Sequence, residues 1–145
     1  MVARGVSDPV RFYCDADTLG LAKVLASLRP DVTYPGDPGG KVRGRERPAC
    51  PIDSTDVPDT TWIRIVTQHG WAIITRDRRI ASRPEELATV RATGARVFAI
   101  TSDEQLSTWH MLEIVFSQWR KIEELAAAPG PFIYSVTRTS LRKLA

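Results

Sequence analysis

The chain has 145 residues, 43% of them hydrophobic, which suits a single domain able to bury a core without metal or disulfide staples. Its 20 basic and 17 acidic residues leave a formal charge of +3, a surplus that permits nucleic-acid binding without requiring it. Cys14 and Cys50, the two cysteines, have neither the number nor the spacing of a zinc site or disulfide framework and point to a reducing compartment. No apolar run approaches the roughly 20 residues that span a bilayer. The polar N-terminal stretch with Arg4, Ser7 and Asp8 lacks a secretory signal's apolar core, so a soluble, cytoplasmic protein is expected.

In chain order, a first strand is predicted over Val10 to Cys14, with Cys14 in the core. A helix follows from about Thr18 to Leu28, where Leu19, Ala22, Leu25 and Ala26 share a face and Pro30 stops it. Val32 to Tyr34 reads as a short second strand. Between Pro35 and Pro58 the text changes: Pro38, Pro48, Pro51, four glycines and the basic residues Lys41, Arg43, Arg45 and Arg47 predict a long loop without a regular element. Pro58 and Asp59 open a second helix that carries Trp62, Ile63 and Val66 inward and ends at Gly70. The buried strand Trp71 to Thr75 follows at once. Pro84, Glu85 and Glu86 open a third helix, Arg83 to Thr93, closed by Gly94. A strand at Arg96 to Ile100 comes next. Ser102 with Gln105 resembles a capping box leading into a helical stretch through Trp109 to Ala127, and Phe132 to Val136 forms the last strand. Strands alternating with helices make this an α/β fold with a mainly parallel sheet, one domain over residues 1–145.

Three aspartates stand where a strand ends or a helix begins: Asp15 after the first strand, Asp59 at the second helix and Asp77 after the strand Trp71 to Thr75. Ligands of open α/β folds bind at the carboxyl ends of parallel strands, so these side chains are placed to converge in one crevice. Any one of them alone is explained as a cap or turn residue. Together they repel, and a divalent cation is the usual remedy. Oxygen-only ligands favour Mg²⁺ or Mn²⁺, an ion that can acidify water and neutralise charge on a phosphodiester.

The segments FYCDADT, PDTTWIRIVTQHGWAIITRD and RRI resemble the first and the last two acidic motifs of PIN-domain nucleases. In that pattern an Asp opens a helix, a Gly ends it and a hydrophobic strand closes in Thr-x-Asp, here Thr75, Arg76 and Asp77, 18 residues after Asp59. The chain as a whole, with its ending PFIYSVTRTSLRKL, is similar to the PIN-like VapC toxins of VapBC toxin–antitoxin pairs, particularly the VapC45-like branch. The resemblance implies a three-layer α/β/α sandwich and a metal-dependent endoribonuclease, held in check by a cognate antitoxin and commonly dimeric. It makes Asp15, Asp59 and Asp77 metal ligands, with Thr75 supporting them by hydrogen bonding and Asp17 as a fourth acid. PIN nucleases usually carry a further acid on a helix between the first and third motifs. Here that region offers only Asp37, Glu46, Asp53 and Asp56; Asp17 or a loop acid replaces it, or the site is thin and activity weak or lost.

Arg76, Arg78 and Arg79 beside Asp77 are placed to grip phosphates flanking a scissile bond, or form an ordinary basic turn. Lys41, Arg43, Arg45 and Arg47 make either a mobile second RNA clamp or a disordered basic loop held off the protein. Trp109, Phe116 and Trp119 recur at helical spacing and are expected in the core. His69 and His110 have no partner suggesting general-base work. Two other readings are a PIN-like module that binds RNA or protein without cutting it, and a haloacid dehalogenase-type phosphatase using Asp15-Ala16-Asp17-Thr18. The latter lacks a late metal motif, since only Asp103 follows Asp77 among aspartates.

Overall fold

The computed structural model describes residues 8–101 and 106–145; Arg4, Ser7, Asp103 and the box expected at Ser102 and Gln105 lie outside them. Strand β1 (Phe12–Cys14), a 3-10 turn (Ala16–Thr18), helix α1 (Leu19–Leu28) and strand β2 (Val32–Thr33) form the first unit. Next come β3 (Gly40–Val42), β4 (Arg45–Arg47), α2 (Asp59–Gln68), β5 (Ala72–Thr75), α3 (Pro84–Thr93) and β6 (Arg96–Ile100). The chain continues through α4 (Thr108–Ala126), β7 (Phe132–Val136) and β8 (Leu141–Lys143).

The main sheet runs β2-β1-β5-β6-β7-β8. Its first five strands are parallel, and β8 pairs antiparallel with β7. Burial on both faces makes the central strands continuously apolar instead of alternating, as in Ala72–Thr75, all four of which are buried. Side chains still alternate between two cores. Phe12, Cys14, Ile74 and Phe98 pack with residues of α1 and α4. Tyr13, Ile73 and Val97 pack with Trp62, Ile63 and Val66 of α2 and Val90 of α3. The result is the expected three-layer α/β/α arrangement with a mainly parallel sheet.

Local chemistry sets the helix ends. Pro84 stands in the first turn of α3, and Gly94 terminates it in the left-handed conformation at φ 78°. Helix α4 starts at Ser107, whose hydroxyl oxygen accepts from the His110 amide.

Two expectations are corrected. The segment 35–58 is not without regular structure: β3 and β4 pair antiparallel around Arg43 and Gly44. Both turn residues have positive φ, 51° and 77°, the signature of a two-residue type I′ hairpin. Nor is the hairpin held off the protein. Buried Asp37 accepts from Arg47 Nε at 2.9 Å, Arg47 Nη2 at 3.1 Å, the Thr33 hydroxyl at 2.9 Å and the Gly39 amide at 2.9 Å. Arg47 Nη1 also donates to the Ala26 carbonyl at the end of α1. A buried carboxylate and guanidinium with this many partners fasten the base of the hairpin to the sheet edge and α1.

The second correction concerns the aromatics of α4. Trp109 is 69% exposed and Phe116 57%, because the buried stripe follows Met111, Leu112, Ile114, Val115 and Ile122. Only Trp119 packs against the core, its ring 4.9 Å from that of Phe12.

Candidate active site

Neighbouring strands β1 and β5 end side by side, with Cys14 opposite Ile74 and the Asp15 amide donating to the Ile74 carbonyl at 2.8 Å. This register brings Asp15 beside Thr75. Asp15 caps the following 3-10 turn, its carboxylate accepting from the Ala16 amide at 2.6 Å. That turn swings Asp17 back over the end of β5, where it accepts from the Arg76 amide at 3.1 Å. Asp59 is the first residue of α2 and accepts from the Trp62 indole nitrogen at 2.9 Å. Asp77, two residues beyond β5, caps the turn Arg78–Ala81 through the Arg79 amide at 3.0 Å.

All four aspartates line one small cavity of about 180 Å³. Tyr13 and Trp62 add aromatic surface to its lining, and Ser54, Thr55 and Val57 of the segment beyond the hairpin line it too. Beside it the buried Thr75 hydroxyl lies 3.1 Å from Asp15 Oδ2 and 3.3 Å from Asp17 Oδ2, and accepts from the Asp77 amide at 3.1 Å. Burial pushes the Asp15 carboxyl up to about 7; Asp17 and Asp59 add repulsion, opposed by the Ala16 amide and the Thr75 hydroxyl. A carboxylate so disfavoured is one that a cation would relieve.

The site also contains a cation of its own. Arg83 Nη1 lies 2.7 Å from Asp77 Oδ2, 3.8 Å from Glu86 Oε1 and 4.0 Å from Asp59 Oδ2. The other Asp77 oxygen faces Arg79 Nε at 3.4 Å.

The structure thus brings Asp15, Asp17, Asp59, Asp77 and Thr75 together. Arg79 and Arg78 lie exposed beside Asp77, while Arg76 contributes its amide to Asp17. Of the acids weighed in the loop, Asp37 is committed to Arg47, and Glu46, Asp53 and Asp56 do not line the cavity. The histidines stand apart: His69 stacks on Trp71, and His110 sits at the start of α4 beside Ser107. Sequence reasoning missed Arg83, which reads there only as the residue before a helix-opening proline, and the wall at Ser54 to Val57.

The donor chemistry suits a hard divalent ion, for which Mg²⁺ commonly needs only one or two carboxylates with water completing its shell. Among the described residues, no three His, Cys, Asp or Glu side chains are already arranged to hold a metal. Asp15, Asp17, Asp59 and Asp77 supply the carboxylate oxygens that such an ion would take, with Arg83 already beside Asp77.

A strand-end acid, a second acid opening α2 and a Thr-x-Asp closing β5 place this chain in the PIN-like domain family, whose model matches residues 11–102. That span holds all four aspartates, and membership accounts for the Asp15-Ala16-Asp17-Thr18 run without the phosphatase reading. The Mycobacterium tuberculosis protein named "Putative ribonuclease VapC45" is 34% identical over 80 residues. The matched stretch covers 55% of this chain and 57% of that protein, little more than half of either. No solved structure matches the chain significantly.

Proposed function

We propose that the chain is a divalent-metal-dependent endoribonuclease and the toxin of a toxin–antitoxin pair, acting in the cytoplasm and neutralised by a cognate antitoxin. The observation that carries this reading is the meeting of four aspartates, from three separate stretches of chain, in one cavity. RNA as substrate is supported by the relative named a ribonuclease, and the antitoxin and a possible homodimer by resemblance to VapC toxins. No helix among the described residues is long and apolar enough to cross a membrane.

In this reading Asp15, Asp59 and Asp77 hold Mg²⁺ or Mn²⁺, with Asp17 as a fourth acid beside them. The bound ion supplies charge neutralisation at a phosphodiester and acidifies a water molecule at neutral pH. Thr75 orients the two inner carboxylates. Arg78 and Arg79 at the rim meet phosphates on either side of the scissile bond, and Arg76 supports them.

The test is cleavage of RNA by purified wild type, Asp15→Ala and Asp77→Ala with Mg²⁺, Mn²⁺ or EDTA. Loss of cleavage in EDTA and in both variants is expected; cleavage that persists in the variants would sink the site. The two guanidinium groups on Asp77 favour a second reading, a module that binds RNA without cutting it. Retained RNA binding with no cleavage under any of these ions would establish that instead.

A further inference from the structure

Arg83 puts one nitrogen among three carboxylates, closest to Asp77. A guanidinium stays charged at any pH the fold survives, so it cannot leave by losing its proton. It can leave only by moving, and its side chain is 34% exposed, with room to do so. It projects from Arg83, which has extended backbone just ahead of α3 and gives no side-chain cap to that helix. Its described polar contacts are therefore these acids and not the backbone. A divalent ion at Asp77 would set like charges against each other, at a separation where such repulsion is strong. The same carboxylate oxygen, Oδ2, cannot serve both cations well.

We propose that Arg83 is a built-in competitor of the divalent ion: it neutralises Asp77 and Asp59 in the metal-free protein and is displaced when the ion binds. The inference rests on the acid site taking such an ion, as proposed above. Competition sets a threshold, so the site fills only when the free ion outbids the arginine. It also fixes a second position for Arg83: once released from Asp77, it stands beside the cavity as an additional cation for an anionic substrate.

The test is Mn²⁺ binding by the full-length protein, read from the electron paramagnetic resonance signal of the free ion. Arg83→Gln is expected to bind Mn²⁺ about tenfold more tightly or better, a change of about 1.4 kcal/mol, whereas Arg83→Lys keeps a competing charge and stays near wild type. Equal or weaker binding by Arg83→Gln would overturn the proposal, as would no binding in either protein. Because Arg83→Gln could fail to fold, Mg²⁺ is also titrated into wild type while the Arg83 Nε–H resonance is followed. A shift of that resonance as the site fills is expected; an unchanged resonance at saturating Mg²⁺ overturns displacement. RNA cleavage enters neither readout. Tighter Mn²⁺ binding by Arg83→Gln in a protein that cuts no RNA would keep this inference and discard the nuclease reading.

Discussion

The two ends of the parallel sheet carry opposite chemistry in clefts of opposite size. At the amino ends, Arg11, Arg29, Asp31 and Gly70 line two adjoining clefts of about 530 and 390 Å³, the second also bordered by Arg96 and Glu123. At the carboxyl ends, four aspartates line about 180 Å³. The larger clefts have spent most of their polar groups: Arg29 pairs with Asp31 and Glu123 and lies over Trp119, and Arg96 donates to the carbonyls of Gly70 and Ala126. These contacts satisfy a loop and the end of α4. The smaller cavity gathers four carboxylates in one place, more like charge than capping turns requires. Concentration of like charge, and not volume, distinguishes the end suited to chemistry.

The sharpest way to break that comparison is to mutate both ends. Asp15→Ala is expected to lower RNA cleavage on the order of 100-fold or more, the scale of losing a group that stabilises charge in the transition state. Arg11→Ala at the opposite end is expected to leave the rate unchanged, and a comparable loss there would move the site. Next in size is the anchor of the hairpin. Asp37→Ala strands a buried guanidinium and is expected to cost about 3–5 kcal/mol in urea unfolding; a cost below about 1 kcal/mol would mean that Arg47 finds water instead.

A smaller effect separates the two ends by pH. The folded chain holds the Asp15 proton more tightly than the unfolded chain does. The stability this gives is complete below the ordinary carboxylate pKa near about 4 and is lost as pH rises through about 7. Without divalent ion, thermal unfolding should therefore show stability falling across that window, with Asp15→Asn flattening the fall. An identical profile for the variant would remove Asp15 as the cause. The least effect belongs to Arg29→Ala, a half-exposed pair expected to cost under about 1 kcal/mol and to leave Mn²⁺ binding untouched.

What could be read in the sequence followed from local signals. Strands Arg96–Ile100 and Phe132–Val136 are found at the predicted bounds, and Pro84, Gly94 and Gly70 mark real helix ends. Asp15, Asp59 and Asp77 were legible as acids at element ends because the element ends themselves were legible. The hairpin was not. Its strands are short and mostly charged, with no apolar alternation to announce them, and what holds them is an ion pair between Asp37 and Arg47, ten positions apart. Trp109 and Phe116 share a helical spacing with core residues, but spacing gives a face without saying which face meets the sheet. Arg83 escaped because its role depends on where α3 begins relative to β5, a tertiary distance no local pattern encodes.

The Thr75 hydroxyl has a single proton to donate and two inner carboxylates, Asp15 and Asp17, within reach. At any instant one of them is hydrogen-bonded by it and the other is not, so the two differ even though both lie within 3.3 Å of the same oxygen. A threonine here therefore breaks the symmetry of the acid pair. Replacement by valine would keep the shape and remove that shared proton, leaving the two carboxylates to be told apart by their backbone partners, the Ala16 and Arg76 amides.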